Sequence, residues 1–196
     1  MDETTEAIVN DIPWPLEEIT IDCELYRHVH YSHRPKYQGK RRHPNESHFI
    51  LKDGEDGLSF NWNKYAKEKR GLIVIGLKIG NNGSFIPISD YSYFKFPVSF
   101  LYSIVGVYEI VHNPIFNGDP SEVGSPNNKS HSLVVFDRDD LSVRVNLSDY
   151  CNEHYESAKC DTDLAEIASR LNELRDRLNN TPYHKLWVFE NESVDM

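Results

Sequence analysis

Apolar residues recur along this chain in two rhythms, and the change from one to the other falls near residue 160. Before it the step is two. Ile19, Ile21, Cys23 and Leu25 alternate with Thr20, Asp22 and Glu24, the pattern of a strand with one buried face. Residues 48–52 and 58–62 read as a strand pair closed by the turn-rich Asp53-Gly54-Glu55-Asp56-Gly57. The run 72–79 begins apolar on both sides, which predicts a central strand. Gly80-Asn81-Asn82-Gly83 then turns the chain into a return strand over 84–88, where Pro87 suits an edge. Residues 102–111 predict a further buried strand. Residues 131–136 and 141–147 predict a hairpin across Asp137-Arg138-Asp139-Asp140, and 185–189 a final strand.

After residue 160 the step becomes three and four. Leu164, Ile167, Ala168, Leu171, Leu174 and Leu178 fall on one stripe of a helix spanning 163–180. Asp163 and Glu166 have the spacing of a cap and its reciprocal acid, and Asn179-Asn180 with Pro182 stop the helix. Glu166 with Arg170 and Glu173 with Arg177 are i,i+4 pairs in the favourable order, each contributing ~0.2–0.5 kcal/mol. Strands first and a helix late predict an α+β fold. The expected architecture is a mainly antiparallel sheet of about six to eight strands with a long amphipathic C-terminal helix packed on it. Residues 1–12 read as an acidic mobile tail, and 13–196 as a single domain.

Composition narrows the classes. Leu, Ile, Val and Phe make up 52 of 196 residues, enough for a core without disulfide staples. The net charge of −10 and a pI near 5.3 argue against wholesale wrapping of nucleic acid or an anionic membrane. The longest uncharged run, residues 96–108, is 13 residues long, where a membrane span needs ~20. Cys23, Cys151 and Cys160 are odd in number and form no C-x-x-C, so reduced thiols are expected. With an acidic start that lacks a secretory pattern, they predict a cytoplasmic protein.

Charge changes the picture most. The first 24 residues hold eight acids and no base; residues 25–45 hold six bases and no acid. The bases are Arg27, Arg34, Lys36, Lys40, Arg41 and Arg42, and His28, His30, His33, His43 and His48 lie beside or among them. Residues 31–44 carry Pro and Gly and read as a loop. A cationic island attracts phosphate, and imidazoles exchange protons near neutrality. The expected ligand is therefore a nucleotide or RNA bound by Arg27, Arg34, Lys36, Lys40, Arg41 and Arg42. In an enzymatic form, His43, His48 and His131 would supply metal-free acid–base phosphodiester chemistry. The plainer reading is a solvated loop neutralised by the acidic segment before it.

Other patterns point elsewhere. His28-Val29-His30 places two imidazoles on one side of a strand, and with His33 suggests a metal hydrolase. The run 28–33 resembles the H-x-H-x-D-H box of metallo-β-lactamase-like hydrolases, with Ser32 where that box has its aspartate. His112 and His131 bracket the polar stretch 113–130 and could share a cleft. Tyr91, Tyr93, Phe94, Phe96 and Phe100 surround Lys95; with one base among them they read as core. No Walker loop, G-x-G-x-x-G or G-x-S-x-G occurs, and no cofactor is expected. The alternative function is a non-catalytic adaptor or assembly subunit that binds a protein partner through the late helix and the 113–130 stretch.

Overall fold

The computed structural model describes residues 14–30, 44–66, 71–77, 85, 87–115, 127–160, 164–178 and 187–188. The fold is α+β. Its centre is one antiparallel sheet of β1 (Glu24–His30), β2 (Leu58–Trp62), β3 (Tyr91–Pro97), β4 (Val107–His112) and β6 (His131–Phe136), in the order β3-β1-β2-β6-β4. β5 (Asn127–Asn128) and β7 (Trp187–Val188) form a separate parallel pair. The helices are α1 (Gly71–Gly76), α2 (Val98–Ser103), α3 (Leu141–Glu153), α4 (Tyr155–Ala158) and α5 (Leu164–Leu178).

Among the described residues the central sheet has five strands rather than the expected six to eight, because three predicted strands belong to helical turns; the predicted strands 84–88 and 185–189 lie partly outside those residues. Residues 141–147 alternate strictly, yet they open α3. Asp140 caps that helix by accepting from Val143 N at 3.1 Å, and Val143, Leu147 and Cys151 recur at i,i+4 as its buried stripe. The apolar run from residue 72 starts in α1, where Leu77 N bonds Ile73 O at 3.0 Å across one helical turn. Short apolar runs do not distinguish a strand from a buried helix. Residues 46–49 form a 3-10 turn instead of a strand. The stretch 102–111 contains the end of α2 and then β4.

The register sorts side chains to two faces. Leu25 pairs with Trp62 and Phe96, Phe60 with Ser132, and Ile110 with Val134. On this face Leu25, Phe49, Phe60, Phe94, Phe96, Val134, Val143 and Leu147 form the main core under α3 and the 3-10 turn. On the opposite face Tyr26 and Tyr93 join Leu72, Leu77, Ile167, Leu171 and Leu174 in a smaller core. The helix expected to lie on the sheet, α5, stacks instead on α1. Gly76 makes that approach close, since a Cβ there would collide with Leu171. α5 is also not the last element, as β7 follows it. Among the described residues no helix is long and apolar enough to cross a membrane.

Candidate functional site

The sequence-predicted residues fall into two groups. Arg34, Lys36, Lys40, Arg41, Arg42 and His43 lie outside the described residues, as does His33. The described structure fixes both flanks of their segment. On one side His30 ends β1, paired with Tyr91 of β3. On the other, Pro44 O accepts from Ser148 Oγ of α3 at 3.1 Å and from Asn152 Nδ2 at 3.4 Å. His28 and His30 lie on the same side of β1, both against Tyr91, with ring centroids 5.8 and 4.6 Å away.

Arg27 is placed otherwise than its sequence neighbours suggested. The register turns it into the main core. There Nη1 donates to Ser59 O at 2.6 Å and Nη2 to His48 O at 3.0 Å. Its guanidinium lies 5.7 Å from the Phe49 ring centre and 5.6 Å from that of Phe60. Burial disfavours the charged form and pushes its pKa down to about 10. Arg27 thus binds the 3-10 turn to β2. The same burial pushes the nearby Cys151 thiol above its ordinary value.

The described histidines do not converge. His48 Nδ1 accepts from Asn45 N at 3.1 Å within the 3-10 turn, on the α3 side of the sheet. His131 lies on the opposite face, where Nδ1 donates to Asn113 O at 2.5 Å and Ser59 Oγ donates to Nε2 at 3.1 Å. His112 pairs with Ser132, one position beyond His131, so the two face opposite sides of the sheet and share no cleft. Among the described residues no group of three His, Cys, Asp or Glu is placed to hold a metal ion.

Two polar groupings escaped the sequence reading. The first surrounds His112, whose Nδ1 accepts from Glu17 N at 3.3 Å and whose Nε2 donates to Lys129 O at 2.7 Å. Tyr65 stacks on His112 and donates to Glu17, which also pairs with Lys64. Hydrogen bonds from Lys64 and then Tyr65 hold the Glu17 carboxyl below its ordinary value. Burial and the bond to Glu17 raise that of Tyr65. The second grouping is buried: Asn61 Oδ1 accepts from Asn128 Nδ2 and Ser130 Oγ, each at 3.0 Å. Both tie distant segments to the end of the sheet. In the sequence, Asn61 within β2 and His112 at the end of β4 were the residues that hinted at them.

No family model, curated protein or solved structure matches the chain.

Proposed function

We propose that this chain binds a phosphate-bearing ligand, a nucleotide or RNA, through Arg34, Lys36, Lys40, Arg41 and Arg42. The observation that carries this reading is the acid-free basic segment itself, in a chain whose net charge is −10. An acidic protein repels phosphate on average, so a phosphate site needs a local island of positive charge. The described flanks support it: β1 and α3 hold His30 and Pro44. Arg27 is left out of the ligand set because its charge faces carbonyls inside the core. His48 and His131 stand on opposite faces, with His48 Nδ1 bonded within the 3-10 turn and both ring nitrogens of His131 bonded, so His43 is the residue to which the enzymatic form of this reading assigns acid–base work.

Fluorescence anisotropy with labelled single-stranded RNA and labelled ATP, across a salt series, tests it. Arg41→Ala with Arg42→Ala should weaken binding. For RNA it should flatten the plot of log K against log salt by roughly 1.4, at about 0.7 per phosphate contact. Removing residues 2–12 should strengthen binding by deleting a tethered acidic competitor. If neither the full nor the truncated chain binds at low salt, the reading falls. If binding occurs without cleavage, and His43→Ala changes nothing, only the enzymatic form falls.

A further inference from the structure

The alternation that gives 141–147 a strand-like pattern leaves α3 with two apolar stripes. Val143, Leu147 and Cys151 are buried, whereas Leu141 and Val145, one turn apart, are 53% and 38% exposed. Among the described residues this second stripe is left partly open to solvent. Val105, 88% exposed, and Tyr108, 60% exposed, stand on either side of Gly106 in the chain. Gly106 joins them to α3. Its φ of +102° suits glycine, and a Cβ there would strike Asp140 and crowd Val143. Tyr108 OH donates to Asp137. The turn at Val105, the start of β4 and the N-terminus of α3 therefore form one surface.

That surface adjoins a sheet edge. β4 is the outermost strand, and among the described residues it pairs only with β6. Around it stand Glu109, Asp137 and Asp139, all exposed, and Asp140, half-exposed. Arg138, the base among them, is engaged by Asp53. A second copy of this chain meets poor conditions here. Two-fold pairing would set these carboxylates against themselves, and the register shift between Val107 and Glu109 interrupts a regular ladder. Opposite charge turns the repulsion into attraction, and beyond the shift the regular part of β4, Glu109 to His112, is left for a ladder.

We propose that the β4 edge, with Val105, Tyr108 and Leu141, docks an extended basic segment of another protein. Main-chain hydrogen bonds along β4 would hold the segment, an apolar side chain would rest on Val105 and Leu141, and lysines or arginines would face Glu109, Asp137 and Asp139. This inference does not rest on the phosphate reading, and loss of RNA binding in the Arg41→Ala, Arg42→Ala chain leaves it standing.

Calorimetric titration of the full chain with two probes tests it: an eight-residue peptide alternating lysine and valine, and its counterpart with glutamate for lysine. The lysine peptide should bind and the glutamate peptide should not. Val105→Asp with Leu141→Asp should weaken the lysine peptide at least tenfold, as these exposed side chains are not needed for folding. Asp137→Asn with Asp139→Asn should weaken it several-fold and flatten its salt dependence. No binding, equal binding of both peptides, or lysine-peptide binding indifferent to the Val105 and Leu141 substitutions overturns the proposal. Sedimentation showing a dimer that Val105→Asp dissociates overturns it in favour of a second copy.

Discussion

On one face of the sheet Leu25, Phe60, Phe94 and Phe96 are sealed under α3; on the other, Tyr26 and Tyr93 meet α1 and α5 over strands β1 and β3, while β2 and β6 present Ser59, Asn61 and His131. The first face is closed by aromatic and aliphatic side chains packed around the guanidinium of Arg27. The second combines a small apolar core with polar contacts between side chains from distant segments. A single sheet thus carries a structural face and a face assembled from connections, and stability should be distributed accordingly.

Unequal truncation costs would sharpen that contrast most. Phe96→Ala, in the centre of the main core, should lose ~3–5 kcal/mol in chemical denaturation, while Leu171→Ala, in the small core beside a groove of about 360 Å³, should lose ~2 kcal/mol. Equal losses would make the two cores one cooperative unit of equal density. Arg27 gives the next test. Arg27→Ala removes two hydrogen bonds and leaves a cavity, for ~3–4 kcal/mol, whereas Arg27→Met fills the space and leaves two carbonyls without donors, for ~1–3 kcal/mol. If the methionine chain is as unstable as the alanine chain, the guanidinium charge matters more than the packing.

The smallest effect belongs to the polar end of the sheet. The folded Glu17 carboxyl titrates below its ordinary value of 4.5, so its stabilising contribution is present above that value and is lost as pH falls through the depressed one. The stability gap between wild type and Glu17→Gln should be small at pH 7 and close as the solution is acidified through this range. A gap that widens on acidification would contradict the Lys64 and Tyr65 contacts.

The sequence was most legible where one periodicity was compatible with one environment. The strands at Leu58–Trp62 and His131–Phe136 stand out in the pattern, and the aromatic run around Lys95 supplies Phe94 and Phe96 to the core. It misled where two environments shared one pattern. Leu141, Val143, Val145 and Leu147 alternate because a helix displays one apolar stripe inward and another outward, and Asp140, the cap, was the residue that distinguished helix from strand. Arg27 misled for a different reason. Sequence neighbourhood groups it with the loop cations, but strand parity sends it into the core, and that parity is set by pairing with Phe94 across a long sequence separation. For the candidate ligand site, charge was legible and position was not, because its residues other than Arg27, His48 and His131 fall outside the described segments.

The strand order has a kinetic consequence. Leu25 pairs with Trp62 and Phe96, Leu58 with Val134, and His112 with Ser132, so no two neighbouring strands of the central sheet are joined by a tight turn. Every ladder must close a long loop before its contacts repay the lost chain entropy. α3 and α5 can form from local contacts, but the sheet can be completed only when remote segments meet. Refolding from denaturant should therefore run on the order of milliseconds to seconds, as in other folds dominated by non-local pairing. During that interval β1, which ends with partners on both sides, is an unpaired strand open to the wrong neighbour.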